Sequence, residues 1–135
     1  MEKCVFCKIL DGQILAHKIY ETDDVFVFLD IDPYTKGHSL IIPKKHYQDI
    51  FDIPDEELKE LIIEVKKVAK LHKERLGAKD INVFQRNGIL AGQEIEHIHF
   101  HVVSRDIDDE VEILPRGQYK GNDFEEVVEL LTKQI

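Results

Sequence analysis

Three histidines alternate with apolar residues in the run His97-Ile98-His99-Phe100-His101-Val102-Val103. Successive side chains of a β-strand point to opposite faces, so this spacing puts His97, His99 and His101 on one face and Ile98, Phe100 and Val102 in a core. Neutral imidazole is a nucleophile, a proton carrier and a metal ligand near neutral pH, and a neighbouring copy tunes it. With a rise of about 3.3 Å per residue, His97 and His101 stand about 13 Å apart, too far to share one metal. The array therefore points to two neighbouring tasks, or to catalysis flanked by support.

A second chemical group is Cys4-Val5-Phe6-Cys7. Cys-x-x-Cys is a zinc half-site or a redox pair, and no thioredoxin-like βαβ pattern surrounds it. His38, Lys44, Lys45, Arg86 and Arg105 fall within or beside the segments richest in such residues and offer donors for a small anion. The net charge of −9 disfavours a nucleic acid polymer as partner, because that affinity comes largely from neutralising phosphates with Lys and Arg. A small nucleotide needs only a local pocket.

The elements that must position these groups are short. Lys18 to Glu21 and Val25 to Asp30 read as strands turning at Thr22-Asp23-Asp24. His38 to Pro43 gives a third strand, and Ile81 to Arg86 and His97 to Ser104 give two more. From Pro54 to Leu76 apolar residues recur at three- and four-residue spacing, behind acidic Asp55, Glu56 and Glu57, so a long helix is expected to stop at Gly77. His72 on that helix reads as a solvated histidine. Asn87 to Glu94 is a loop beside the histidines, and a C-terminal helix is expected from Asp123 to Thr132. Strands joined by turns around one inserted helix indicate α+β with an antiparallel sheet.

At 135 residues, 43% apolar and 33% charged, the chain is read as one globular domain spanning 1–135. Apolar runs such as Leu61-Ile62-Ile63 are far too short to span a bilayer, so no membrane partner is expected. Met1-Glu2-Lys3-Cys4 has no signal-peptide core, which makes the cytoplasm the expected location.

The His-apolar-His-apolar-His-apolar-apolar pattern, preceded by Gly92-Gln93 and followed by Ser104-Arg105, resembles the signature of the histidine triad family of nucleotide hydrolases and transferases. The resemblance extends to Phe28-Leu29-Asp30-Ile31-Asp32-Pro33 and to the segment from Lys36-Gly37-His38 to Pro43-Lys44-Lys45-His46, covering residues 4–105 and leaving 106–135 as a tail. It implies a five-stranded antiparallel sheet with a long helix packed on it, and a two-fold homodimer whose sheets join. It also implies a purine nucleotide substrate, an adenylate or dinucleoside polyphosphate, cleaved at the α-phosphate through a nucleotidyl-histidine.

Matched residue by residue, His99 is the attacking group, His101 sits beside the phosphate to move the leaving-group proton, and His38 is a further donor there. Backbone amides around Gln93, Glu94 and Ile95 would stabilise developing charge. Asp30 would accept from the ribose hydroxyls, and Ile31 with Phe28 or Phe6 would form a slot for the base. Prokaryotic relatives use the cysteine pair with two histidines, here His46 and His97, as a closed and therefore structural zinc set. Two positions depart from the better-known branches. Arg86 stands where a neutral amide is common and Glu94 where Ser or Thr is, both toward the leaving group. From a different class, the chain is alternatively a nucleotide-binding interaction module with incidental hydrolysis.

Overall fold

A computed structural model describes residues 3–112 and 114–133; Met1 and Glu2, on which part of the targeting expectation rests, lie outside the described residues. Five strands, β1 (Lys18–Glu21), β2 (Val25–Leu29), β3 (Ser39–Pro43), β4 (Asp80–Gln85) and β5 (Phe100–Arg105), form one antiparallel sheet in the order β1-β2-β3-β5-β4. The Thr22 hydroxyl accepts from the Val25 amide at 3.0 Å and closes the first hairpin, as the turn composition there predicts. β5 starts at Phe100 rather than at His97, because the amide of Ile98 is given to the Tyr47 carbonyl at 2.7 Å instead of to a neighbouring strand. Side-chain alternation nonetheless holds through the histidine run.

That alternation sorts the sheet into two faces. Val25, Val27, Ile41, Ile98, Phe100 and Val102 pack against Leu61, Val65 and Val68 of the long helix α2 (Asp55–Arg75). Phe28, Leu40 and Ile42 point the other way and pack on Phe6 of a short helix α1 (Val5–Leu10). Each fully buried aliphatic or aromatic side chain stabilises the fold by about 1.5–3 kcal/mol, so both faces hold their covering helix. His99 and His101 follow the α1 face, opposite α2.

Acidic residues in its first turn and basic residues in its last suit the dipole of α2, and Gly77, with φ +68°, ends it in the left-handed conformation expected there. The C-terminal helix α3 runs Asp123–Thr132, with the predicted bounds, and has no buried residue. Among the described residues no helix is long and apolar enough to cross a membrane. Sequence periodicity did not predict α1: six residues are too few for a helical period, and its N-cap is the Cys4 thiol, which accepts from the Cys7 amide at 3.4 Å.

Candidate functional site

Hydrogen bonds assign the proton of each imidazole in the run. His99 Nδ1 lies 2.7 Å from the His97 carbonyl, which only accepts, so Nδ1–H donates and Nε2 keeps a bare lone pair. The Tyr34 amide donates to His38 Nδ1 at 3.0 Å, which requires that nitrogen to be unprotonated. His38 Nε2–H therefore donates to His101 Nδ1 at 2.9 Å, and the His101 proton is left on Nε2. His101 Nε2 is buried and has no hydrogen-bond partner among the described residues. A bare nucleophilic nitrogen and an unpaired N–H thus lie on rings whose centroids are 4.9 Å apart.

Burial holds these rings neutral. It pushes the pKa of His38 and His99 below the ordinary value, and burial with the neighbouring His99 and His38 pushes His101 down to about 3. Phe84 stacks on His101 at 4.4 Å between centroids, and Tyr34 stacks on His38 at 5.4 Å. Both aromatics escaped the sequence analysis. Tyr34 lies in a turn and Phe84 in an ordinary strand pattern, and neither context signals a histidine partner.

His99, His101 and Tyr34 border a cavity of about 460 Å³ lined also by Asp30, Arg86, Glu94 and apolar residues including Phe6 and Phe28, while His38 and Phe84 stand behind His101 and do not line it. Ile31, which is 87% exposed, and Ile95 also line it. Asp30 accepts from the Asp32 amide through Oδ1 at 2.8 Å, and its Oδ2 stands 3.6 Å from His38 Nε2. Arg86 lies with its guanidinium 4.7 Å from the Phe84 ring centre and donates to the Tyr34 hydroxyl at 3.0 Å. Gly92, at φ +91°, leaves room for it: a Cβ there would stand 3.2 Å from Arg86 Cδ.

Several expected donors are elsewhere. The Gln93 amide is given to the Gly88 carbonyl at 3.0 Å, and its side chain binds the Gln48 and Ile95 carbonyls and the Gly88 amide, so Gln93 braces the loop rather than facing the cavity. Lys44 pairs with Glu21 at 2.7 Å and Lys45 with Glu57 at 3.2 Å. Arg105 is held by Asp109 and the Val111 carbonyl. His72 is buried, not solvated, with both ring nitrogens engaged by serine hydroxyls.

On the other side of Phe6, Cys4, Cys7, His46 and His97 bring one donor atom each to within 4.8 Å of one another. Cys4 Sγ is 3.4 Å and Cys7 Sγ 3.7 Å from His97 Nδ1, and Cys7 Sγ is 3.3 Å from His46 Nδ1. A tetrahedral zinc with bonds of about 2.3 Å to sulfur and about 2.0 Å to nitrogen spaces such donors about 3.5 Å apart, so the set fits that ion. His97 Nε2–H donates to the Pro43 carbonyl at 2.9 Å, which leaves its Nδ1 lone pair toward the sulfurs. Burial and the adjacent Cys4 push the Cys7 thiol up to about 11, so a cation is what would favour its thiolate near neutral pH.

A family model described as HIT domain matches residues 11–108. The chain belongs to the HIT domain family. Among its HIT relatives, adenosine 5'-monophosphoramidase of Saccharomyces cerevisiae is 43% identical over 102 residues, 76% of this chain and 62% of that protein. The crystal structure of a HIT family protein from Bacillus anthracis has a TM-score of 0.89 at 34% identity, covering 99% of this chain and 98% of that one. A zinc-bound histidine triad family protein from Mycobacterium smegmatis has a TM-score of 0.78 at 36% identity, covering 87% and 85% of the two chains. The five-stranded antiparallel sheet with its packed long helix is the HIT fold expected from the histidine pattern.

Proposed function

We propose that this HIT protein hydrolyses nucleotides at the α-phosphate through a nucleotidyl-histidine on His99. The observation that carries the proposal is the pairing of tautomers: His99 Nε2 is bare, while His101 Nε2–H is buried without a partner beside it. His99 Nε2 attacks phosphorus, forming a P–N bond as the bond to the leaving group breaks. The leaving group departs with a proton from His101, which lies close enough to act as a general acid. Water then attacks the same phosphorus and returns a proton to His101 Nε2, the P–N bond breaks, and His99 Nε2 regains its lone pair. Burial and the neighbouring histidines keep His101 neutral with its one proton on Nε2, where it stands as a donor to the leaving atom as charge develops there.

Asp30 is assigned to the ribose hydroxyls through Oδ2, and Phe6, Phe28 and Ile31 to the base of a purine nucleotide. Glu94, Ile95 and Arg86 are assigned to the phosphate and leaving-group side, with Gln93 supporting the loop. The name of the yeast relative favours a phosphoramidate leaving group, whereas the guanidinium of Arg86 favours a polyphosphate. Zinc is assigned to Cys4, Cys7, His46 and His97, on the donor spacing above and on the zinc-bound mycobacterial relative. When bound there it supplies no open coordination position, and its place is structural.

The test is brief mixing of the protein with an adenosine phosphoramidate, quenching, and mass spectrometry of the intact chain. A nucleotidyl adduct that disappears in His99→Ala, with nucleotide affinity retained, is the expected result. Binding with neither adduct nor turnover would favour a nucleotide-binding module instead.

A further inference from the structure

His72 stands across the sheet from the cavity. It projects from α2 toward Ser39 and Ser104, which share the α2-facing side of β3 and β5 with Ile41 and Val102. One assignment of protons satisfies every contact in this group. Ser39 Oγ–H donates to the Gly37 carbonyl at 2.8 Å, so toward His72 it accepts, from Nε2–H at 2.9 Å. His72 Nδ1 then accepts the Ser104 hydroxyl at 2.7 Å. The Ser104 carbonyl in turn accepts the Thr35 hydroxyl at 2.8 Å.

Both ends of the turn that carries His38 are therefore tied to β5, Thr35 directly to Ser104 and Ser39 by its strand pairing with Val102 and, from its side chain, through His72. Between them, Gly37 takes φ +91°, and a Cβ there would come within 2.5 Å of Leu76 Cδ1, so the end of α2 sits directly against the turn. On the opposite face of the same two strands, His38 Nε2 must meet His101 Nδ1 at 2.9 Å for the His101 proton to stay on Nε2. Any buried histidine needs partners for its nitrogens, but here the two partners are residues of the two strands that flank the His38–His101 contact.

We infer that His72 is a positioning residue for the His38–His101 pair: by clamping Ser39 to Ser104 from the α2 side, it fixes the turn and so fixes which nitrogen of His101 carries the proton. It touches no substrate. The consequence for turnover rests on the proposed nucleotide hydrolysis; the consequence for the proton on His101 does not.

The experiment compares wild type with His72→Gln, His72→Leu and Ser104→Ala, all as full chains. A glutamine amide keeps one donor and one acceptor at nearly the imidazole spacing, whereas leucine keeps volume and neither. Long-range proton–nitrogen NMR of the substrate-free protein reads the protonation of each histidine ring nitrogen. Wild type and His72→Gln should show His101 with Nε2 protonated and Nδ1 bare, and His72→Leu and Ser104→Ala should show both nitrogens partly protonated. On an adenosine phosphoramidate, His72→Leu should lose about tenfold in kcat with KM changed by less than about twofold, while His72→Gln stays within about threefold of wild type.

An unchanged His101 pattern in His72→Leu, or in Ser104→Ala should the leucine variant not fold, would overturn the inference. So would equal losses in His72→Gln and His72→Leu, which is what a purely space-filling residue gives. Should no variant, wild type included, turn over a nucleotide, the hydrolase proposal fails and the NMR pattern alone decides the role of His72.

Discussion

Each imidazole of the triad meets a different partner at Nδ1, and that partner determines what Nε2 is left to do. His97 presents Nδ1 to the cysteine sulfurs, His99 gives its Nδ1 proton to a carbonyl, and His101 accepts from His38. One residue type repeated at one spacing thus acquires three roles from its surroundings. Arg86 extends the argument to the leaving group, since its guanidinium sits on Phe84 at the cavity wall and is tied through only one nitrogen to Tyr34. A charge-assisted hydrogen bond is worth about 1.5–3 kcal/mol, and the difference between a charged and a neutral leaving group should register through it. In Arg86→Asn the ratio of kcat/KM on an adenosine phosphoramidate to that on a dinucleoside polyphosphate should rise about tenfold. An unchanged ratio would reduce Arg86 to a brace between Tyr34 and Phe84.

At the scale of elements, α1 joins the two sites. Val5, Phe6 and Ile9 line the cavity, and Phe6 meets His99 edge-on at 5.1 Å and His97 at 5.7 Å, while the cysteines on either side of Phe6 face His46 and His97. Six residues cannot hold a helix by themselves, so this wall is fastened by the packing of Phe6 on the sheet together with the cysteine cluster. Stripping metal from tag-free protein with a strong chelator should lower Tm by on the order of 10 °C. It should also weaken binding of adenosine monophosphate several-fold by loosening the wall, with the rate at saturating substrate the last quantity to fall. Metal-free protein of unchanged Tm and affinity, or a Cys4→Ser variant of unchanged metal content, would remove the cluster from this role. The strands, α2 and α3 were legible in the sequence because period-two and period-3.6 patterns report which side of an element is buried. The tail helix even kept its predicted bounds. What such patterns do not report is a contact across the sheet: His72 lies in the buried stripe of α2 with Leu61, Val65 and Val68, yet its polarity suggested solvent until Ser39 and Ser104 appeared beside it. Nor do they report donors already engaged, which is why Lys44, Lys45 and the Gln93 amide looked available for a phosphate.

For the whole molecule, the unresolved requirement is a cover for an edge of the sheet. Among the described residues β4, like β1 at the opposite edge, has a strand on one side only, so its other side leaves backbone donors and acceptors without a strand partner, a template for association. Beside that edge, Val83 is 45% exposed on the same face as Val102, and on α2 Ile62 is 44% exposed. Ile62 lines, with Ile50, Leu58 and Phe100, a shallow apolar groove of about 370 Å³. An unpaired strand flanked by apolar side chains suits a second copy related by a two-fold axis, whose own β4 would run antiparallel alongside and join two five-stranded sheets. Sedimentation equilibrium should therefore return a mass near twice the 15.8 kDa of the chain. Val83→Lys, which places a solvated charge at the edge, should shift the protein toward monomer and lower Tm, whereas the Tm of the wild-type dimer rises with protein concentration. A wild-type monomer at micromolar concentration would mean that β4 is left open, and a lysine there would then change Tm by only about 0.5 kcal/mol worth of stability, as an ordinary surface substitution does.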